Sequence, residues 1–169
     1  MPQPPDARRS GFTLFEILLA VTIVLLLAGM VLPAYQNSVE NAEAAAVRQT
    51  LERTRTAIEY YAFQHDGQTP GWDGASWTVQ TFLDQLRLAS DAGGNVAPVG
   101  TVGYPYGPYL KVDIGENPFN GLDSILLVAP GDGFSAPDDS TGWVYYAETG
   151  DFRANTTETT PGGTPVWEL

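Results

Sequence analysis

From Phe12 to Leu32 the chain reads FTLFEILLAVTIVLLLAGMVL, 21 residues with a single charge, Glu16. As a helix such a run is about 30 Å long, roughly one hydrocarbon core, so it predicts a membrane-spanning helix over residues 12–33. Pro33 has no N–H to donate and predicts a hinge at the end of that span. Beyond it the pattern changes from uniformly apolar to periodic. Tyr35, Val39, Ala42, Val47, Leu51, Ile58, Tyr61 and Ala62 recur mainly at steps of three and four, while Glu40, Glu43, Arg48, Glu52, Arg53, Arg55 and Glu59 fill the other faces. This predicts an amphipathic helical spine over residues 34–66, with Glu52–Arg55 and Arg55–Glu59 spaced to meet across one turn.

Residues 67–169 predict a separate globular head. Gln68 to Gly74 is turn chemistry, and a second amphipathic helix is expected from about Ser76, as N-cap, to Ala89, with Trp77, Phe82, Leu83 and Leu86 on its apolar side. After Asp91-Ala92-Gly93-Gly94 the pattern is one of short strands and turns. Pro and Gly between Tyr104 and Leu110 exclude a helix there, and Glu116 to Gly121 reads as a turn. Ser124–Ala129 and Trp143–Ala147 read as strands, the second answered by Phe152–Ala154 across Thr149-Gly150. The fold class expected is α+β, a long N-terminal helix packed on a small antiparallel sheet.

Charge and composition narrow the function. The chain has 169 residues, 20 acidic against 8 basic side chains and a net charge of -12, which argues against nucleic acid as a partner, since phosphate binding needs a basic surface. Arg8 and Arg9 precede the apolar run, whereas 18 of the acidic residues follow it. That asymmetry keeps the short N-terminus in the cytoplasm and sends the acidic bulk across the membrane. A secretory signal peptide is the competing reading, but the run is long for one and the best small-residue cleavage site, before Tyr35, has Leu32 at its minus-three position. Cysteine is absent, which removes disulfides, thiolate zinc and cysteine nucleophiles. The single histidine, His65, is followed by Asp66, but adjacent helical residues point to different faces and no nucleophile motif accompanies them. A membrane-tethered enzyme or binding module therefore has no convergent site residues to rest on.

Glu16 is the residue that does not fit a passive anchor, since an ionised carboxylate costs on the order of 3 kcal/mol at the centre of a membrane helix. It stands in a context: Arg8-Arg9-Ser10-Gly11, then Phe12-Thr13-Leu14-Phe15-Glu16. Here the chain resembles the prepilin family, precursors of type IV pilins and of type II secretion pseudopilins. The resemblance implies a leader over residues 1–11, cleavage by a prepilin peptidase between Gly11 and Phe12, N-methylation of the Phe12 amine, and assembly through Glu16 and Phe12. The cut creates a cation, an α-amine with a reference pKa of about 8, at the depth of the carboxylate.

In the head, GPYL at Gly107–Leu110, NPFNG at Asn117–Gly121 and TGWVYYAETGDFRAN at Thr141–Asn155 resemble loops of pseudopilins. The resemblance implies a structural subunit of a periplasmic pseudopilus in a type II secretion-like system. Its partners would be the prepilin peptidase, further copies of itself, other pseudopilins and an inner-membrane assembly platform. The alternative is a type IV pilin or minor pilin of a surface filament. Major pseudopilins hold calcium in a C-terminal loop, and Asp123, Asp132, Asp138 and Asp139 offer hard oxygen ligands on a Gly/Pro-rich segment, so calcium is the one cofactor suggested. Asn155-Thr156-Thr157 meets the glycosylation sequon.

Overall fold

The computed structural model describes residues 11–134 and 136–169, and side chains for all of these except 31–34, 36 and 37. Residues 1–10 of the expected leader, with Arg8 and Arg9, lie outside the described residues. The chain divides into two compact units, one ending at Val39 and one spanning Glu40–Leu169.

Helix α1 is Leu14–Gln64. Pro33, the expected hinge, has helical backbone, and its side chain lies outside those described. In the first unit the side chains from Phe12 to Met30 are exposed. Among the described residues no helix is long and apolar enough to cross a membrane.

In the second unit α1 supplies Ala44, Val47, Leu51, Thr54, Ala57, Ile58 and Tyr61 to the core, at steps of three, four and one that define a single face. The expected stripe is displaced: Tyr35, Val39 and Ala42 are exposed, and burial begins at Ala44. The expected Glu–Arg pairs along α1 are replaced as well. Arg55 donates instead to the main-chain oxygens of Phe152 (2.9 Å) and Leu169 (3.0 Å), and Arg53 to those of Asp113 (2.9 Å) and Ile114 (3.3 Å). A guanidinium has five donors in a fixed fork, so it ties loops to a helix where a carboxylate partner would leave it on the surface.

Helix α2 is Val79–Arg87 and starts later than expected. Its N-cap is Thr78, whose hydroxyl oxygen accepts from the Thr81 N–H at 3.0 Å. Ser76 serves a different turn, its N–H donating to Asp73 Oδ1 at 2.7 Å. Two two-residue strands follow, β1 (Ala89–Ser90) antiparallel to β2 (Val96–Ala97). The main sheet has the order β3 (Ile125–Val128), β4 (Trp143–Tyr146), β5 (Phe152–Ala154). β4 and β5 form the expected antiparallel pair, but β3 runs parallel to β4. The reason is the connection: residues 129–142 are too many for a tight hairpin and sufficient for the crossover that parallel pairing needs.

Trp143, Tyr145 and Phe152 from this sheet, Phe82 and Leu86 from α2 and Leu51, Ile58 and Tyr61 from α1 form one core, with Val166 from a closing 3-10 turn, Val166–Glu168. Buried polar ends find partners, Trp143 Nε1 donating to the Gly115 carbonyl at 2.9 Å and the Tyr145 hydroxyl to the Pro70 carbonyl at 2.7 Å. The NPFNG turn is a latch. Asn117, fully buried, donates to the Gly142 carbonyl at 3.0 Å, and Asn120 donates to the carbonyls of Thr141 and Asn155, both at 2.9 Å. The approach is close enough that a Cβ on Gly142 would lie 1.9 Å from the Leu122 oxygen, which is why a glycine stands there.

Candidate functional site

The start of α1 is built by a reciprocal cap. Thr13 Oγ1 accepts from the Glu16 N–H at 3.2 Å, while Glu16 Oε2 accepts from the Thr13 N–H at 2.8 Å and from the Thr13 hydroxyl at 2.9 Å. This is the Ser/Thr-x-x-Glu capping box, in which each residue satisfies an N–H that a helix start leaves unpaired. Thr13 is the functional residue that reading along the chain missed. Its signal was present, a threonine three positions ahead of a glutamate at the head of an apolar run.

The cap places the carboxylate beside Phe12, where removal of the leader would leave a new amine. Phe12, Leu14 and Phe15 are 84%, 85% and 71% exposed, and a shallow groove of about 460 Å³ runs along Phe12, Leu14, Ile17, Leu18 and Val21. Glu16 therefore sits as the one charged group on an otherwise apolar surface. Such a surface is stable only when covered by lipid or by other apolar helices.

The acidic residues of the head do different work. Asp138 Oδ1 accepts from the Ser140 hydroxyl (2.7 Å), the Asn155 amide (2.8 Å) and the Ser140 N–H (3.1 Å), contacts that hold its carboxyl below the usual range. Asp139 accepts from the Thr157 hydroxyl at 2.5 Å, with the same effect on its carboxyl. Among the described residues no three His, Asp or Glu side chains form a group that could hold a metal ion, so Asp123, Asp132, Asp138 and Asp139 are not brought together as a calcium site. Asp138 and Asp139 shape their loop by bonding its donors. Asn155 is fully buried and bonds Asp138 and Thr141 (2.9 Å), so the folded head does not present the sequon's amide for glycosylation.

His65 is a structural residue. It is 3% exposed, stacked on Tyr61 with ring centroids 3.8 Å apart, and its nitrogens face the carbonyls of Tyr61 (2.8 Å) and Asp91 (3.0 Å).

A helix that opens on a capping box, exposes its first apolar side chains and continues into a small α+β head is the arrangement of a pilin-type protein. Residues 6–32 match the profile described as the prokaryotic N-terminal methylation motif. The chain is 34% identical over 76 residues to the type IV major fimbrial protein FimA of Dichelobacter nodosus (45% of this chain, 47% of that protein). It is 37% identical over 60 residues to prepilin peptidase-dependent protein D of Escherichia coli K12 (36% and 41%). To fimbrial protein EcpB of Eikenella corrodens it is 36% identical over 109 residues (63% and 67%). The chain thus spans under half the length of FimA and of protein D. No solved structure matches it. The chain belongs to the type IV pilin-like family, whose members are structural subunits and not enzymes. The relatives named FimA and EcpB are fimbrial proteins, so the family is fixed at the level of type IV pilins and not at that of pseudopilins.

Proposed function

We propose that the chain is the structural subunit of a surface type IV filament. Its leader, residues 1–11, is removed by a prepilin peptidase between Gly11 and Phe12, and the Phe12 amine is then methylated. The precursor sits in the inner membrane through residues 12–33 with the leader cytoplasmic and the head outside, and the subunit enters the filament by exchanging lipid for the apolar helices of its neighbours. The names of its relatives, fimbrial proteins and a prepilin peptidase-dependent protein, support the surface filament. The observation that carries the reading is Glu16 as the one charge on an exposed apolar helix. Among the described residues that carboxylate is bonded by Thr13, at the start of its own helix. A second subunit's Phe12 amine would supply the opposite charge, and pairing offsets the cost of burying the carboxylate as the helices stack.

A second reading, a pseudopilus subunit of a type II secretion-like system, is favoured by the cysteine-free head and by the NPFNG latch onto Gly142 and Asn155. Either filament is open and polar, built by one head-to-tail contact repeated without closure.

The test is Glu16→Ala in the producing cell. The variant is expected to insert, to lose residues 1–11 and to be absent from filaments. Normal incorporation would remove the pairing argument. Mass mapping of the mature N-terminus gives an independent check: a start at methylated Phe12 is expected, and a start at Tyr35 would establish secretory cleavage instead.

A further inference from the structure

The head holds a cavity of about 770 Å³ between the end of α1, α2 and the loop of residues 91–96. Its walls are fixed from beneath by Gln85, a 2% exposed side chain on α2. Gln85 Oε1 accepts from the Gly71 N–H at 2.7 Å, and its Nε2 donates to the carbonyls of Trp72 (3.0 Å) and Gly94 (2.9 Å). One amide thus ties three segments together. Gly94 lies so near this centre that a Cβ there would be 2.7 Å from the Tyr61 hydroxyl. A cleft held in this way is formed before any ligand arrives, which lowers the cost of binding.

The lining has a definite chemistry. Trp72, Asp66, Asp73 and Asp84 border the cavity, and no Lys or Arg does. His65, the remaining basic group of the lining, is 3% exposed, its Nδ1 facing the Tyr61 carbonyl (2.8 Å) and its Nε2 facing both the Ser90 hydroxyl (3.1 Å) and the Asp91 carbonyl (3.0 Å). The Asp66 carboxylate has no hydrogen-bond donor among the described residues. Hydrogen bonds from the Ser76 and Ala75 N–H groups hold the Asp73 carboxyl below its usual range, so it is charged at neutral pH. Anions are repelled, and a neutral ligand gains nothing from such a field. A bare divalent ion needs several carboxylates at one point, and these do not form such a group. A cation with an apolar body, by contrast, gains both from carboxylates spread around a wide cleft and from an indole face.

The geometry points to a binding cleft for an organic ammonium group, with Trp72 as its aromatic wall and Asp66, Asp73 and Asp84 as its counter-charges. The same chemistry is presented by a lysine side chain on another protein and by a free polyamine.

The full chain in neutral polyoxyethylene micelles can be titrated calorimetrically with spermidine, tetramethylammonium and a Gly-Lys-Gly peptide, with calcium chloride and glucose as counter-probes. The ammonium probes are expected to bind one site, and calcium and glucose more weakly. Asp66→Asn/Asp84→Asn is expected to weaken spermidine by about tenfold, equivalent to about 1.4 kcal/mol. Trp72→Phe is expected to weaken tetramethylammonium by a smaller factor. Asp123→Asn/Asp132→Asn, with the same change in net charge, is expected to leave binding unchanged. An equal loss in that control pair, stronger binding of calcium or glucose, or no ammonium binding would overturn the assignment. Should the first double variant not fold, Asp66→Asn alone, at an exposed position, carries the same test. Tighter binding of the peptide identifies a protein lysine as the source, and tighter binding of spermidine a free amine.

Discussion

Two stretches of one helix, Leu14–Met30 and Ala44–Tyr61, are both rich in apolar residues and have opposite fates. The first exposes them, while the second buries Val47, Leu51, Ile58 and Tyr61 at 2% exposure or less. The difference lies in what the rest of the sequence supplies. The second stretch alternates apolar and charged faces, and the chain after it provides Phe82, Trp143, Tyr145 and Phe152 to cover the apolar one. The first is apolar on all faces, which no single small head can cover, and only lipid or other helices can. Burial in the head is a property of one molecule, and in the N-terminal stretch it is, under the function proposed, a property of the assembly.

The sharpest way to break that contrast is to delete apolar side chains on each side of it. Trp143→Ala, at a fully buried site, is expected to cost the head about 3–5 kcal/mol, and Leu51→Ala about 2–5. Leu25→Ala removes a comparable group from a side chain that is 64% exposed and is expected to change head stability by about 0.5 kcal/mol or less. Urea unfolding of the full chain in micelles, followed by tryptophan fluorescence, compares them directly. A Leu25→Ala midpoint shifted as far as that of Leu51→Ala would end the division of the helix into two regimes.

The next effect in size concerns the loop of residues 136–141, which the Asn155 side chain holds through Asp138. Asn155→Ala removes the acceptor of the Asp138 N–H and the amide donor to Asp138 Oδ1 and the Thr141 hydroxyl oxygen, and is expected to cost about 1–3 kcal/mol. Thr159→Ala, at an exposed position of the same C-terminal segment, is expected to be near neutral by the same urea measurement. Equal effects would mean that the loop of residues 136–141 is not held by Asn155.

Periodicity made the helices and strands β4 and β5 legible, because each rests on a local pattern. What was illegible is long-range. That β3 lies parallel to β4 depends on the path of residues 129–142, and no spacing within Ile125–Val128 encodes it. Arg55 had two glutamates at helical spacing, yet it bonds oxygens 97 and 114 residues away. Among the site residues, Glu16 stood out because a charge among apolar residues needs no tertiary information. Thr13 was equally readable as a capping partner, and attention to the glutamate's membrane cost hid its local one. For the loop aspartates, residue type and loop position suggest a metal, while hydroxyl and amide donors already meet Asp138 and Asp139, which no local pattern encodes.

The smallest expected effect is with acid, and it too separates the regions, since it belongs to the head. Four head carboxyls are held below their usual range: Asp73 by the Ser76 N–H, Asp91 by the Asn95 amide, Asp138 by the Ser140 hydroxyl and Asp139 by the Thr157 hydroxyl. Their folded pKa values lie below the unfolded value of about 3.9, so between the two the unfolded chain binds more protons. Their contribution is complete above that value and is lost as the pH falls through the folded pKa values. An opposing effect acts at higher pH, because protonation relieves the self-repulsion of a chain with net charge -12. Salt distinguishes the two. At about 1 M, where charges are screened beyond about 3 Å, the repulsion is largely removed while the short hydrogen bonds to the carboxylates persist. Urea midpoints at high salt should therefore stay level from neutral pH to about 5 and fall below about 4, with a shallower fall in Asp138→Asn. A midpoint that rises through that acid range at high salt would show that these aspartates do not stabilise the folded head.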